Sequence, residues 1–225
     1  MTDDATHRLR VSLQRTRPEV WRRIEVPGSL TLDRLRVVLD VAMGWTGLDG
    51  HRFTLGSPRE PGHQEIVPAD VVAADVALER QSLARAGCDP DEWALGSQEV
   101  LVEEELRVRD VLPHERAALH YQYGLSWVHR VRVERVEGPG SLSRPRVLAG
   151  RRAVPPQYLV NGWNWTDLMA IVRAVAEGRG TPAWEAQVVA HFPGLAPQEA
   201  WDAVRRFDVA QADDILARLH SAGRV

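Results

Sequence analysis

Alternating hydrophobic and polar residues open the chain. The alternation extends from Leu9 to Leu13 and again from Val20 to Val26, and a proline-containing break follows each run. An apolar residue at every second position is typical of a strand with one buried face. The two runs therefore predict an antiparallel hairpin.

A helical spacing follows the hairpin. Between Leu32 and Ala42 apolar residues recur at intervals of three and four, Thr31 is a candidate N-cap, and Gly44 ends the run. Because both the hairpin and the helix have an apolar face to bury, we expect the helix to cover the hairpin.

The middle of the chain returns to the strand pattern. Alternating runs at residues 51–55, 106–112, 120–123 and 127–136 predict further strands, whereas residues 56–104 show only a candidate helix near 71–86. The fold class predicted from these elements is α+β, with a mostly antiparallel sheet and a helix on one face in a β-grasp-like order of hairpin, helix and strands.

The last third of the chain changes character. Residues 138–162 are rich in proline, glycine and arginine, which predicts a connecting arm with little regular structure. Helical signals return beyond it, with Thr181 and Asp208 as candidate N-caps. We therefore expect a sheet domain at 1–137, an arm at 138–162, and a helical unit at 163–225 packed on the sheet domain.

Composition places the chain among ordinary globular proteins. Its 225 residues are 44% hydrophobic and 26% charged, and its single cysteine, Cys88, excludes an internal disulfide. No apolar run approaches the roughly 18 residues of a membrane span. The start is acidic and polar, so we expect a cytoplasmic protein with no membrane partner.

Charge is unevenly distributed along the chain. Residues 60–115 hold fourteen Asp and Glu against four Arg, whereas residues 116–152 hold eight Arg against two Glu, and no lysine occurs anywhere. Seven arginines suggest a basic face that could bind nucleic acid weakly and with strong salt dependence. They are Arg130, Arg132, Arg135, Arg144, Arg146, Arg151 and Arg152.

Several motifs in order resemble one family. They are Trp21-Arg22-Arg23 in the hairpin, Met43-Gly44-Trp45 after the helix, His51-Arg52-Phe53, the run from Tyr121 through Trp127 to His129, and Phe207-Asp208. Together they are similar to the plasmid pRiA4b ORF-3 family over about residues 7–220. The resemblance implies a cytoplasmic α+β domain of bacteria and mobile elements without a settled biochemical activity.

The chain departs from the family pattern at residues suited to chemistry. Asp49 stands where relatives usually have the first histidine of a His-x-His-x-Phe string, and Gln122 and Leu125 replace acidic residues. Cysteines and an acidic pair near Pro155-Pro156 are also replaced, by Val147, Val154, Gln157, Tyr158 and Leu159. The resemblance therefore implies a degenerate member that keeps the scaffold.

The candidate chemistry is sparse. Asp49, His51 and His129 are the best candidates for metal ligands. The more ordinary roles of the two histidines are a hydrogen-bonded strand histidine and a sheet-edge partner for Asp49. We therefore expect no metal and no cofactor. Arg22 and Arg23 are candidate anion ligands, with a solvated strand face as the ordinary alternative. The candidate binding residues are Asp49, His51, Tyr121, Trp127, His129, Arg22, Arg23, Arg130, Arg132, Arg144 and Arg146.

Two classes of function remain from the sequence. The first is a non-catalytic binding or interaction domain with an unidentified ligand or protein partner, associated with mobile-element biology. The second is a small-substrate or metal-dependent enzyme that uses a cleft near His51 and His129. Loss of the acidic and thiol positions favours the first class.

Overall fold

A computed structural model describes residues 4–56, 63–85, 100–140, 142–159 and 162–225. The strands are β1 (Ala5–Leu13), β2 (Trp21–Pro27), β3 (His51–Leu55), β4 (Gln64–Val67), β5 (Leu101–Val102), β6 (Ala118–Tyr123), β7 (Trp127–Pro139) and β8 (Arg146–Arg151). The helices in these ranges are α1 (Leu32–Met43), α2 (Ala69–Arg85), α3 (Val108–Val111), α4 (Gly162–Ala176), α5 (Pro182–His191), α6 (Pro197–Arg205) and α7 (Val209–Ser221).

All eight strands form one open sheet in the order β5-β4-β3-β6-β7-β1-β2-β8. Only β4 and β5 pair in parallel; every other neighbouring pair is antiparallel. The predicted α+β class with a mostly antiparallel sheet is therefore confirmed.

The predicted hairpin is confirmed and lies between two further strands. Leu9 of β1 is in register with Ile24 of β2 and with Val133 of β7, so that all three side chains point to the same face. All three are buried. Alternation along these strands thus separates an apolar face from a charged face.

Helices cover the apolar face. The predicted helix is α1, and it buries Leu35, Val38 and Leu39. Gly44 ends it in the left-handed conformation, with φ of 87°, which glycine adopts without strain. Thr31 is the N-cap residue, but its side chain makes no capping hydrogen bond, so that part of the prediction is wrong.

The segment predicted as an arm contains regular structure. Its beginning completes β7, and Arg146–Arg151 forms β8, which pairs antiparallel with β2 at the edge of the sheet. An edge strand tolerates a neighbouring proline such as Pro145, because one of its sides needs no ladder hydrogen bonds. The proline and glycine content of the segment, together with the short and mixed pattern of β8, therefore concealed this strand in the sequence.

The run at 106–112 differs from its prediction as well. It forms the short helix α3, which follows a single bridge between Thr31 and Arg107. Cys88 lies outside the described residues. Within the described ranges, no helix combines the length and apolarity needed to cross a bilayer.

The C-terminal helices pack on the sheet and on α1. Helix α7 contacts both β8 and α1. Asp213 of α7 binds Arg144 through both carboxylate oxygens, at 3.0 and 2.7 Å, and accepts the amide of Val147 at 2.9 Å. Thr181 and Asp208 cap α5 and α7 as predicted, since each side chain accepts a backbone amide of the first turn.

Candidate functional site

The sequence-predicted histidines lie on the covered face of the sheet, but they do not meet. His51 is on β3 and His129 is on β7, with β6 between them. Tyr121 of β6 fills the gap, with its ring centroid 6.1 Å from that of His51 and 5.5 Å from that of His129. An aromatic row therefore occupies the place where the sequence suggested a cleft.

His129 is fully buried and has both ring nitrogens occupied. Trp45 Nε1 donates to His129 Nε2 at 3.1 Å, and His129 Nδ1 lies 3.0 Å from the carbonyl oxygen of Tyr121. Because an indole N–H can only donate and a carbonyl can only accept, the proton is on Nδ1 and the ring is neutral. Burial lowers the pKa of His129 to about 4, which keeps it neutral at physiological pH.

Tyr121 links the row to the end of α1. Its hydroxyl donates to Asp40 Oδ1 at 2.6 Å, and Asp40 Oδ2 accepts from Arg36 at 3.1 Å. Burial raises the pKa of the Asp40 carboxyl, whereas the bonds from Tyr121 and Arg36 oppose that rise. Burial, with the nearby Asp40, also raises the pKa of Tyr121. The Tyr121 phenol is therefore a protonated donor that fixes the strand to the helix.

His51 is paired with a residue that sequence reasoning missed. Its Nε2 lies 2.9 and 3.1 Å from the two carboxylate oxygens of Glu103, which is 3% exposed and follows β5. The sequence shows Glu103 within an acidic run of three, where nothing distinguishes the buried member from its exposed neighbours. Asp49, the partner suggested from the sequence, lies elsewhere.

Asp49 belongs to a polar cluster at one end of the sheet. Gln157 donates to the hydroxyl of Tyr123 at 2.5 Å and to the hydroxyl of Thr46 at 3.1 Å, and its amide lies 3.5 Å from Asp49 Oδ2. Asp49 also approaches Gly124 in the β6–β7 turn. Asp49 and Gln157, two positions where the resemblance implies a departure from the family pattern, are thus neighbours in space.

Trp127 lies in the packing around this cluster. It is 5% exposed, and its ring centroid lies 5.6 Å from that of Trp45, which in turn stacks on Tyr123 at 4.9 Å. Trp127 therefore supports the β6–β7 turn from within the core.

Arg22 is buried, which contradicts the solvated strand face expected from sequence. It is 1% exposed, and it donates to the carbonyl oxygens of Ala42 at 2.7 Å, Trp21 at 2.8 Å and Arg151 at 3.0 Å. Phe207 lies 3.6 Å beneath its guanidinium. Burial lowers the pKa of Arg22 to about 9, so the side chain is still a cation at neutral pH.

Arg23 and the predicted basic residues divide among separate surfaces. Arg23 pairs with Glu134 at 2.5 Å on the charged face of the sheet, where Arg130 and Arg132 also lie. Arg144 is held by Asp213, and Arg146 is exposed at the start of β8. Arg144 is thus paired with α7, whereas Arg146 lies opposite Glu25 in the β2–β8 ladder and therefore on the same face of the sheet as Glu25.

The described ranges do not assemble a set of metal ligands. Within them, no three His, Cys, Asp or Glu side chains converge as an ion would require. His51 and Glu103 are two such side chains in contact, and they are hydrogen-bonded to each other.

Comparison with protein-family models identifies the family, and two further proteins are similar to this chain. The model of the plasmid pRiA4b ORF-3-like protein family matches residues 5–186. The uncharacterized protein y4hQ of Sinorhizobium fredii (strain NBRC 101917 / NGR234) is 24% identical over 160 residues, which cover 71% of this chain and 69% of that protein. The crystal structure of the protein of unknown function MM3350 from Methanosarcina mazei Go1 superposes with a TM-score of 0.63 at 19% identity, covering 93% of this chain and 97% of that one. The chain therefore belongs to the plasmid pRiA4b ORF-3-like protein family.

Proposed function

We propose that this chain is a non-catalytic binding domain of the pRiA4b ORF-3 type that acts in the cytoplasm. Its link to mobile-element biology rests on the family name and is part of the same proposal. The ligand or partner binds at the surface, and the interior histidines hold the fold together.

One observation carries the proposal: the internal hydrogen bonding of His129. A general base or a metal ligand needs a ring nitrogen directed at substrate or ion. In His129 one nitrogen donates to Tyr121 and the other accepts from Trp45, and no part of the ring reaches solvent. A residue in this position contributes to folding and cannot touch a substrate.

The neighbours of His129 support the same interpretation. His51 is bound by Glu103, and Tyr121 by Asp40, so each polar group of the row already has a partner inside the protein. Such a network is stable only when it is completely satisfied, which it would not be if a ligand replaced one member. The alternative, an enzyme with a cleft near His51 and His129, would need that network to open.

The experiment compares His51→Gln and His129→Gln with the exposed control His114→Gln. We expect each interior variant to lower the free energy of unfolding by about 1–3 kcal/mol, because a buried partner loses its hydrogen bond. The control should match the wild type. Unfolding is followed in urea by tryptophan fluorescence, and the metal content of each purified protein is measured by elemental analysis.

The opposite pattern would reject the proposal. That pattern is about one metal ion per chain in the wild type, lost in His51→Gln without a change in the free energy of unfolding. Histidines whose replacement spares stability but removes an ion are ligands, and the enzyme alternative would then stand.

A further inference from the structure

Two adjoining cavities lie where the C-terminal helices meet the outer strands of the sheet. The larger one, about 790 Å³, has walls from α4, α5 and α6 that include Met169, Ile171, Trp184 and Trp201. This volume falls in the range of small-molecule sites, which are concave and mostly apolar with a few polar groups. Arginines stand around the apolar walls. They are Arg17, Arg152, Arg173, Arg179 and Arg205.

The smaller cavity, about 260 Å³, has a different chemistry. It is lined only by charged side chains: Arg151, Arg152, Arg205 and Arg206, with Asp202 as the single acid. Arg152 and Arg205 line both cavities, so the two adjoin at these side chains, with an apolar end on one side and a cationic end on the other.

The positive charge at the cationic end is not neutralised within the described residues. Asp202 forms an ion pair with Arg205, whose Nη2 lies 2.6 Å from the Asp202 carboxylate. Arg152 donates to a backbone oxygen, that of Glu19, at 3.0 Å and has no carboxylate partner in those ranges. Burial, together with the adjacent Arg151, lowers the pKa of Arg152, as expected of a cation held among cations.

The backbone at Arg152 gives independent support. Its φ is 68°, in the left-handed region that non-glycine residues rarely adopt. Such a conformation is strained for a residue with a side chain and tends to be found at ligand-binding positions. This conformation places the Arg152 side chain at the junction of the two cavities.

We propose that this two-part site binds a small amphipathic anion, with its flat apolar body between Trp184 and Trp201 and its carboxylate, phosphate or sulfonate among Arg151, Arg152 and Arg206. Guanidinium groups bind such oxyanions with two parallel hydrogen bonds, and tryptophan faces stack on planar rings. A bare inorganic anion would leave the apolar end empty. The charge and the shape of the site therefore select an organic anion.

The inference deepens the proposed function and rests on it, since it names the ligand class of a binding domain. The probes are indole-3-acetate, adenosine 5′-monophosphate and naphthalene-1-sulfonate, with neutral indole and inorganic phosphate for comparison. Each is titrated into the 225-residue chain by isothermal titration calorimetry. We expect at least one aromatic anion to bind with a Kd below about 1 mM and more tightly than indole or phosphate.

Variants locate the binding. Arg152→Gln should weaken the best probe by roughly tenfold or more, because a charge-assisted contact is lost. Arg206→Gln should act in the same direction, and its exposed side chain makes it a safe second variant for folding. Arg218→Gln, on the exposed surface of α7 where it pairs with Asp214, is the matched control and should bind as the wild type does.

Three results would overturn the inference. They are no binding by any of the three aromatic anions, binding equally tight in both cavity variants and the wild type, and phosphate binding as tight as that of the aromatic anions. None of these results depends on the His51 and His129 variants, so the proposal of a non-catalytic binding domain is tested separately. Conversion of a bound probe to product would instead count against the proposed function.

Discussion

Gly150 lies so close to its neighbours that a side-chain methyl group at this position would disrupt their packing. A Cβ built there would lie 2.4 Å from Cδ1 of Phe207 and 2.7 Å from Cδ of Arg22. Phe207 in turn lies beneath the buried guanidinium of Arg22. Glycine in β8 is therefore required so that the chain leading into α7 can cover the Arg22 cation.

Gly150→Ala should lower the free energy of unfolding by about 1–3 kcal/mol, since the new methyl overpacks a filled site. Gly138→Ala is the control, because nothing lies within 4 Å of its Cβ position. The two variants are compared by urea denaturation. Equal midpoints for both variants would mean that Phe207 moves aside without cost, contrary to this packing.

His129 should make stability depend on pH. Its pKa is about 4 in the folded protein and about 6.5 when unfolded, so between these values the unfolded chain binds a proton that the folded chain does not. Stability is therefore present above pH 6.5 and is lost as the pH falls. Between pH 7 and pH 5 the expected loss from this residue is about 2 kcal/mol. Burial lowers the pKa of His7 as well, which acts in the same direction.

The measurement is the free energy of unfolding at pH 5, 6 and 7 for the wild type, His129→Gln and His114→Gln. The wild type and His114→Gln should weaken together toward pH 5, while His129→Gln is already weaker at pH 7 and changes less. Parallel pH profiles for all three proteins would show that His129 takes up its proton without unfolding.

At the scale of elements, the C-terminal helices complete the core. Phe207, in the segment between α6 and α7, covers the guanidinium of Arg22, and Leu216 of α7 is fully buried. Helix α4 buries Trp165, Leu168 and Val172. We therefore maintain as a proposal that the tail and the sheet belong to one folding unit.

Truncation after Glu137 tests that proposal. The fragment would lack β8 and α4–α7, leaving Arg22 without the Arg151 carbonyl and the Phe207 ring. We expect it to aggregate or to lose cooperative unfolding, as followed by size-exclusion chromatography and thermal denaturation. A soluble fragment with an unchanged melting temperature would identify the tail as a separate module.

Period-two patterns predicted the elements that have one buried and one exposed face. Strands β1, β2, β6 and β7 are of this kind. The same pattern contained a signal for Arg22, which falls between Val20 and Ile24 on the apolar side of β2, although its charge suggested the surface. β8 has too short and too mixed a pattern to stand out, and only its pairing with β2 makes it a strand.

The sites were less predictable than the strands. The pairing of His51 with Glu103 joins residues 52 positions apart. The amphipathic cavity draws on five separated segments, including Arg17 before β2 and Arg152 after β8. The local periodicity of hydrophobic residues does not predict such long-range contacts, because they depend on how whole helices and strands are placed.

For the whole molecule, the charged face of the sheet is largely neutralised by its own ion pairs. Arg8 binds Glu25 at 2.7 Å and Arg10 binds Glu19 at 2.7 Å. Arg23 binds Glu134, which lowers the pKa of that carboxyl. In the described ranges Arg130 and Arg132 lie on this face and form no ion pair within 4.0 Å, although Arg132 lies near enough to Glu134 to help lower its pKa.

Nucleic-acid binding should accordingly be weak and salt-dependent. Each phosphate neutralised adds roughly 0.9 to the slope of log affinity against log salt, so an Arg130→Ala, Arg132→Ala double variant should reduce the slope by about 2 at most. Fluorescence anisotropy with a labelled duplex across salt concentrations measures it. Tight binding at physiological salt that survives replacement of Arg130, Arg132, Arg144 and Arg146 by alanine would exclude these four arginines as the contact.

The contact between Asp213 and Val147 also bears on how copies of the chain behave when crowded together. An open sheet exposes unpaired amides along its outer strand, and a strand from another molecule can extend the ladder there. Asp213 occupies the Val147 amide on β8, and Arg144 places a charge beside it. At the other end β5 is only two residues long. Both borders of the sheet are therefore poor templates for fibre growth, and Asp213→Ala would open one of them.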